Sequence, residues 1–256
     1  MTPLARLEDA APTEKDLRPM TEELFRADAY LKSCEATVTK VDDQGIRLDR
    51  TVFYPMGGGQ PGDTGTITLA DGRTIRIADT RKGQEPGEII HLLAPDQVRP
   101  EAGTKVTATL DWDRRYKHMR VHTALHLLSS VVVGSVTGGQ IGDTKGRLDF
   151  DLPDTSLDKE AIEAKLNALV QADHKTTTQW ITDEEMDQRP DLVKTMSVKP
   201  PRGAGRVRLL AIPGVDLQAC GGTHVARTVE IGRLQVAKIE NKGKHNRRVI
   251  VALAEG

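Results

Sequence analysis

Two short segments, about a hundred residues apart, carry side chains that could bind one metal ion. In the segment HTALH, His122 and His126 are four residues apart, so a helix would place both imidazoles on one face. The segment CGGTH adds the Cys220 thiolate and the His224 imidazole, and its two glycines allow the backbone to turn tightly enough for both to converge. Together the segments offer three nitrogen ligands and one sulfur ligand.

This ligand set favours zinc, because magnesium and calcium prefer oxygen ligands. Each motif alone is more often an ordinary pair of residues, but their joint occurrence predicts that His122, His126, Cys220 and His224 share one Zn²⁺ ion. His118 extends the same helical row, and we expect it to lie behind the ligands or in solvent. A shell of four protein ligands is usually structural, so a catalytic role requires fewer ligands or expansion to five.

The first half of the chain must supply part of the framework for these segments. From residue 31 to residue 110, short β-rich runs alternate with turn residues, which predicts a small β-barrel or sandwich. The predicted strands are 36–41, 46–52, 65–69, 74–78, 87–92 and 105–110.

After Asp111 the pattern changes to a longer period. Residues 113–133 have the pattern of a helix, with Gly134 just beyond its end, and a second helix is predicted at 156–172. Further strands are predicted at 178–181, 207–212, 229–240 and 248–253. The predicted fold class is therefore α+β, with a flexible tail over 1–24, a small β-barrel domain with a glycine-rich loop over 25–110, and a zinc-binding domain over 111–256.

The composition excludes several classes of protein. The net charge is −1, so any nucleic-acid surface has to be local, and an aromatic content of 3% argues against rows of stacked bases. Cys34 and Cys220 lie far apart and do not indicate a disulfide framework, and Cys34 is expected to be a small core residue. There is no apolar run long enough for a membrane helix and no secretory signal at the N-terminus. We expect a cytoplasmic protein without a membrane partner.

One short motif, GGQxGDT, occurs twice, at 58–64 and at 138–144. The flanking residues differ and the two copies fall in different predicted contexts. We therefore predict no internal repeat.

The two metal-binding segments are accompanied by FYPMGGGQPGDTG at 53–65, and the three motifs resemble the editing module of alanyl-tRNA synthetase in order and spacing. RLDFD at 147–151 and KIENKGKHNRRV at 238–249 are similar to that module as well. The resemblance covers roughly residues 25–253, with no room for an aminoacylation core. The chain thus resembles the free-standing AlaX-type alanyl-tRNA editing proteins of the longer class. Val121 stands where the synthetase module often has Asn.

The resemblance implies an α/β-sandwich editing domain of the threonyl/alanyl-tRNA synthetase type and a zinc-dependent aminoacyl-tRNA deacylase. The expected partner is the 3′ end of mischarged tRNA(Ala), and the expected reaction is hydrolysis in trans of the ester of Ser-tRNA(Ala), with Gly-tRNA(Ala) as a second candidate. No nucleotide cofactor is required for this hydrolysis. Zinc could lower the pKa of a water molecule toward about 7 or orient the substrate, and the sequence leaves both open.

The glycine-rich loop has two interpretations. Its composition alone is typical of a hairpin connector, whereas the resemblance favours a wall of the acyl pocket formed by Gly57, Gly58, Gly59 and Gln60. Asp63 could either orient the loop or contact the substrate.

Discrimination between serine and alanine has to use a polar contact, because alanine is the smaller residue and size cannot exclude it. A hydrogen bond to the serine hydroxyl would leave polar groups unpaired when alanine binds. Gln60, Thr123 and Thr223 are the candidate partners, although Thr123 could equally bond its own helix backbone.

Lysines and arginines near both metal-binding segments could contact tRNA phosphates, although each alone is also typical of solvated charge. The principal candidates are Lys238, Lys242, Lys244, Arg247 and Arg248. Further candidates are Arg114, Arg115, Lys117, Lys199, Arg202, Arg206 and Arg208.

Two other functions remain open: an editing module for another tRNA, as for Ser-tRNA(Thr), and a zinc-stabilised RNA-binding module without catalysis. The sequence does not predict the oligomeric state.

Overall fold

The computed structural model describes residues 20–152, 156–193 and 205–254. The strands of the N-terminal part are β1 Glu22–Glu23, β2 Ser33–Asp42, β3 Gly45–Leu48, β4 Arg50–Thr51, β5 Gly65–Leu69, β6 Thr74–Lys82, β7 Ile89–Leu93 and β8 Lys105–Leu110. Six of them close into a barrel in the order β2-β3-β7-β6-β5-β8. The predicted small barrel is thereby confirmed.

Alternating side chains build the barrel core. Along β5 and β8 buried positions alternate with more exposed ones, as expected where one face of a sheet is turned inward. Val38, Ile67 and Ile77 are among the residues that fill the interior. Cys34 packs half-buried against this core, in agreement with the prediction for it.

The predicted strand at 46–52 is interrupted at Asp49. The Asp49 carboxylate accepts a hydrogen bond from the Thr37 amide at 2.7 Å, and β4 then leaves the barrel to pair in parallel with β1. Helix α1, Leu24–Ala27, follows β1, so the last residues of the predicted tail have defined secondary structure. Residues 1–19 of that tail lie outside the described residues, and the predicted domain division stays a prediction.

The helices of the C-terminal part are α2 Trp112–Val131, α3 Lys159–Gln171 and α4 Asp183–Asp187. Its strands are β9 Ser135–Ile141, β10 Lys145–Asp151, β11 Thr177–Thr182, β12 Arg206–Ile212, β13 Asp216–Ala219, β14 Leu234–Asn241 and β15 Asn246–Leu253. Helix α3 begins after Asp158, whose carboxylate accepts from the amides of Glu160 and Ala161 at 3.0 Å.

Two antiparallel sheets organise this part. The first has the order β14-β15-β10-β9, and α2 and α3 pack on it through a shared apolar core that includes Leu127, Leu166 and Val249. The second is β11-β12-β13, and the apolar side chains of Met186, Leu192 and others cover one of its faces. The α+β class is confirmed, and no helix in the described ranges combines the length and apolarity that crossing a membrane requires.

The predicted strand at 229–240 begins too early. Thr228–Ile231 forms a 3₁₀ turn, and β14 starts only at Leu234. Gly232 between them has a φ of 72°, which ends the turn, and a Cβ there would come within 2.9 Å of the Arg120 guanidinium. Strands β9, β10 and β13 were not predicted at all.

Candidate metal centre

Helix α2 presents two histidines to the interior. His122 and His126 lie one turn apart and are 8% and 5% exposed, and their ring centroids are 5.3 Å apart. Almost all of this stretch of helix is buried, and α2 packs against the four-stranded sheet, α3 and β13. The helix therefore fixes both rings in one direction, as the spacing predicts.

The CGGTH turn follows β13 and packs directly on His122. A Cβ at Gly222 would collide with the His122 ring, so the turn can approach this closely only with glycine at that position. The Arg208 guanidinium holds the turn by donating through Nη1 to the carbonyls of Cys220 and Gly222, both at 2.9 Å. These contacts set the position of Cys220 and His224.

The four predicted ligands come together at one point. One potential ligand atom from each of His122, His126, Cys220 and His224 lies within 4.8 Å of all the others. Cys220 Sγ is 3.5 Å from His122 Nε2 and 3.2 Å from His224 Nε2. A tetrahedral zinc site would have sulfur–nitrogen separations of about 3.6 Å, given Zn–S and Zn–N bonds of about 2.3 and 2.0–2.1 Å. The arrangement thus fits zinc.

Each imidazole is oriented by a hydrogen bond to its outer nitrogen. His122 Nδ1 donates to Gln60 Oε1 at 2.9 Å, and His126 Nδ1 donates to Asp216 Oδ2 at 2.9 Å. His224 Nδ1 donates to Thr123 Oγ1 at 3.2 Å. In a neutral ring this bond keeps the proton on Nδ1, so the Nε2 lone pair is available to a metal.

Charge at the centre also suits a metal site. Burial raises the pKa of the Cys220 thiol, but the surrounding imidazoles of His122, His224 and His126 outweigh burial and bring that pKa well below its usual value. Burial, together with the neighbouring His122, lowers the pKa of His224. Burial lowers the pKa of His126, but the Cys220 thiolate and the hydrogen-bonded Asp216 outweigh burial and raise that pKa to about 9. Zinc requires a thiolate and neutral imidazoles, so binding of the metal would release this proton.

Gln60, Thr123 and Thr223, the predicted partners of the substrate hydroxyl, lie beneath the ligands, and each is at most 1% exposed. Thr123 donates to the Met119 carbonyl and accepts from His224 and the Val225 amide, which uses its proton and both lone pairs. Gln60 Nε2 donates to Thr223 Oγ1 at 2.9 Å. Their described side-chain contacts run to the predicted metal ligands, to each other and to nearby backbone groups.

The glycine-rich loop is a two-residue hairpin turn. Gly57 and Gln60 exchange backbone hydrogen bonds of 3.1 and 3.0 Å, and the residues between them, Gly58 and Gly59, have φ angles of 58° and 83°. Two successive positive φ angles define the type I′ turn, for which glycine is favoured. The turn aims the Gln60 side chain at His122.

The two GGQxGDT copies meet in space. The Ile141 amide donates to the Gly59 carbonyl at 2.9 Å, so the loop caps the edge strand β9. A Cβ at Gly59 would lie 2.8 Å from the Gly139 carbonyl oxygen, so glycine is needed at the contact. The two similar motifs thus lie in contact through their glycine-rich backbones. The sequence analysis, which placed them in different contexts, did not predict this contact.

Asp63 anchors the loop to helix α2. Its carboxylate receives the Arg115 guanidinium and the Tyr54 amide, and the side chains of Asp63 and Arg115 are 2% and 0% exposed. Of the two roles left open for Asp63, these contacts support the orienting one. Arg115 cannot contact a tRNA phosphate from this position, so that part of the basic-surface prediction is wrong.

His118 lies apart from the metal ligands. It is fully buried, and its Nε2 is 2.7 Å from Asp143 Oδ1. Of the two places predicted for His118, behind the ligands or in solvent, solvent is excluded because the side chain is fully buried. Arg208 is 7% exposed and serves the CGGTH turn, while Lys199 and Arg202 lie outside the described residues.

The predicted tRNA-binding lysines and arginines lie on or beside β14 and β15. Lys238 and Lys242 both pair with Glu240, at 2.6 and 2.9 Å, and Arg248 pairs with Asp149 at 2.7 Å. Lys244 is exposed in the connecting turn, and Arg247 donates to backbone carbonyls there. The five side chains thus share one hairpin, where two carboxylates, Glu240 and Asp149, pair with three of the positive side chains.

Asp216 is a candidate functional residue that the sequence analysis missed. It accepts from His126 and from Gln218 Nε2, at 2.9 and 2.6 Å, and is 7% exposed. Its position four residues before Cys220 follows no ligand-spacing rule. A carboxylate near a predicted metal turn is the only sequence signal that could have indicated it.

Comparisons with known proteins agree with this architecture. The family of tRNA synthetases class II (A) matches residues 18–114, and the threonyl and alanyl tRNA synthetase second additional domain matches residues 207–250. The fold and the site thus define a protein of the aminoacyl-tRNA editing class.

Comparison with individual relatives identifies the family within this class. The alanyl-tRNA editing protein AlaX-M of Methanosarcina barkeri is 39% identical over 245 residues, which cover 92% of this chain and 100% of the relative. AlaX-M of Saccharolobus solfataricus is 36% identical, over 90% of this chain and 98% of the relative. The alanine–tRNA ligase of Pyrococcus abyssi is 34% identical over 94% of this chain but only 26% of the ligase. The chain belongs to the AlaX-M family of alanyl-tRNA editing proteins.

Proposed function

We propose that this protein hydrolyses the ester bond of mischarged Ser-tRNA(Ala) in trans, at a zinc ion held by His122, His126, Cys220 and His224. The observation that carries the proposal is the convergence of four ligand atoms within 4.8 Å, with all three Nε2 atoms turned inward. Relatives named alanyl-tRNA editing proteins, which align along their whole length, support the choice of tRNA. Gly-tRNA(Ala) is the second substrate to test.

The substrate is proposed to approach on the Cys220 side. Cys220 is half-buried, whereas the three histidines are all buried, so the centre is most open at the thiolate. When bound, zinc supplies a positive charge that can polarise the ester carbonyl or activate water. The backbone of the CGGTH turn borders this opening, together with the half-buried Arg26, which pairs with Glu23 and donates to the Gly221 carbonyl at 3.2 Å.

Gln60, Thr123 and Asp216 are proposed to be positioning residues. Each bonds the Nδ1 atom of one imidazole and thereby holds the ring in the tautomer and rotation that a metal needs. Thr223 in turn supports Gln60. A small rotation of a ligand ring would displace the ester from its reactive position, and misplacement of this kind lowers the rate strongly.

The polar side chains on the β14–β15 hairpin are proposed to contact the tRNA backbone. Lys244 and Arg247 are not neutralised by carboxylates among their described contacts, whereas Lys238, Lys242 and Arg248 would exchange a carboxylate for a phosphate. Lys244 and Arg247 would bind a phosphate at a lower cost in free energy, because no ion pair has to be broken.

Single-turnover deacylation tests the proposal directly. Ser-tRNA(Ala), Gly-tRNA(Ala), Ser-tRNA(Thr) and correctly charged Ala-tRNA(Ala) are incubated with excess protein, with and without a chelator. We expect rapid loss of serine from tRNA(Ala), slow loss of alanine, and loss of activity after chelation while circular dichroism shows a retained fold. Preferential hydrolysis of Ser-tRNA(Thr) would indicate a different tRNA, and binding without any hydrolysis would indicate a non-catalytic module.

A further inference from the structure

Trp180 lies in the same row of paired residues as Cys220 of the CGGTH turn. In the three-stranded sheet, Trp180 of β11 pairs with Arg208 of β12, and the Cys220 amide donates to the Arg208 carbonyl at 3.0 Å. The three residues therefore form one row across neighbouring strands. With strands about 4.8 Å apart, the backbones of Trp180 and Cys220 are separated by about 10 Å.

The Trp180 side chain emerges on the face of the sheet that carries the metal turn. Directly paired residues in an antiparallel sheet point to the same face, and the Arg208 side chain on that face reaches the carbonyls of Cys220 and Gly222. The opposite face of the sheet is occupied by the apolar cluster that includes Val207 and Leu209. Trp180 is thus not part of that cluster.

The indole is exposed and held in place. Trp180 is 42% exposed, although tryptophan is one of the largest apolar side chains and is usually well buried. The Arg206 guanidinium lies over the ring, 4.5 Å from its centroid, in a cation–π contact that restrains the ring and places a positive charge beside it. A restrained, exposed aromatic ring next to an arginine is typical of a surface on which a nucleobase stacks.

We propose that Trp180 is the stacking platform for the terminal nucleobase of the aminoacylated acceptor end, with Arg206 beside it to meet the adjoining phosphate. The inference rests on the proposed function, because an ester bound at the metal would place the base of the same nucleotide about one nucleoside away from the metal. The separation of about 10 Å between the backbones of Trp180 and Cys220 matches this length. The low aromatic content is compatible with the inference, since a single base requires only one platform.

Kinetics of three variants test the platform. Trp180→Ala should raise the protein concentration for half-maximal single-turnover deacylation by about tenfold, the usual effect of losing one stacked base, and leave the saturating rate nearly unchanged. Trp180→Phe should retain most of the affinity, because a smaller aromatic ring still stacks. Gln179→Ala, an exposed neighbour on the same strand, is the matched control and should behave as the wild type.

Fluorescence gives a readout that does not depend on hydrolysis. A short single-stranded RNA ending in CCA should quench the emission of the wild type more than the same RNA ending in CC, and this difference should vanish in Trp180→Phe, which retains Trp112. If the wild type fails to deacylate but shows this difference, the proposed function is wrong and the platform stands. If the wild type deacylates, and Trp180→Ala has unchanged affinity with no CCA-specific quenching, the platform is overturned.

Discussion

At the scale of single residues, the centre consists of more than the four ligand atoms. Hydrogen bonds to the Nδ1 atoms of the three imidazoles orient the rings. Gln60 links two parts of the chain, because it accepts from His122 and from the Thr223 amide, at 2.9 and 3.2 Å, while its amide group donates to Thr223 Oγ1. It therefore fixes the ring of one ligand and the backbone next to another. An apolar side chain in this position could not form these hydrogen bonds to His122 and Thr223.

Replacing Gln60 with alanine should lower metal affinity or the deacylation rate about 10- to 100-fold, the usual effect of losing the partner of a metal-binding histidine. Zinc affinity by competition with a chromogenic chelator and single-turnover rates measure the two effects. Gln140→Ala provides the matched control, since Gln140 occupies the same place in the second GGQxGDT copy but is exposed. Equal behaviour of the two variants would contradict the positioning role.

At the scale of elements, the loop, the barrel and helix α2 are joined by the buried ion pair of Asp63 and Arg115. Arg115 also donates to the carbonyls of Ala29 and Val52, at 3.0 and 2.7 Å, so one side chain ties the helix to three segments. Both histidines predicted to bind the metal lie in the same helix, about two and three turns after Arg115. The register between helix and loop, and hence between His122 and Gln60, depends on this anchor.

Arg115→Met should destabilise the protein by about 3–5 kcal/mol, because it leaves the Asp63 carboxylate buried without its partner. The double variant Arg115→Met/Asp63→Asn should recover part of this loss, and urea denaturation measures both. Arg76→Met removes the guanidinium of an exposed pair with Asp111, 3.9 Å apart, and should change stability by less than about 1 kcal/mol. A small effect of Arg115→Met would mean that the anchor is not needed.

A buried histidine in the barrel should make stability depend on pH. Burial lowers the pKa of His91 to about 4, and its ring bonds Thr51 at 2.8 Å and the Ile46 carbonyl at 3.1 Å. An unfolded histidine titrates near 6.5, so the unfolded state alone takes up a proton between pH 6.5 and 4. The stability contributed by neutral His91 is therefore complete above about pH 6.5 and is lost as the pH falls toward 4, by roughly 3 kcal/mol.

Urea denaturation between pH 4 and 7 measures this dependence in the wild type and in His91→Gln, which should show a shallower slope. His245→Gln, at an exposed position, should keep the slope of the wild type. An unchanged slope in His91→Gln would exclude His91 as its source.

The elements that were predicted well are those with strong local patterns. Strands β5 and β8 agree with their predicted bounds, and α2 differs from its prediction by one residue at its start and two at its end. Strand β9, with Gly138 and Gly139, has too little β-propensity to be recognised, since pairing with β10 supplies what its sequence lacks. The partners Gln60 and Asp216 depend on contacts across 62 and 90 residues, for which no local pattern exists.

At the scale of the whole molecule, the centre lies where three parts of the chain meet. The barrel supplies Gln60, helix α2 supplies two histidines, and the segment after β12 supplies Asp216, Cys220 and His224. The net charge of −1 provides no general attraction for RNA, so binding has to rely on local groups such as those on the β14–β15 hairpin.

Lys244→Glu should weaken binding of tRNA and reduce the salt dependence of binding by about one counterion, since one phosphate contact is lost. Lys242→Glu should have a similar but smaller effect, because Lys242 already pairs with Glu240. Filter binding across a range of salt concentrations measures both. Lys165→Glu makes the same charge change at an exposed position of α3 and serves as the control; the proposed surface is excluded if all three variants bind alike.

The central claim is that one zinc ion is coordinated jointly by His122, His126, Cys220 and His224. X-ray absorption at the zinc edge, on the protein loaded with one equivalent of zinc, tests it most directly. The account predicts one sulfur at about 2.3 Å and three nitrogens at about 2.0–2.1 Å, with the sulfur lost in Cys220→Ser. A wild-type spectrum without a sulfur ligand, or failure of the protein to retain zinc, would contradict it.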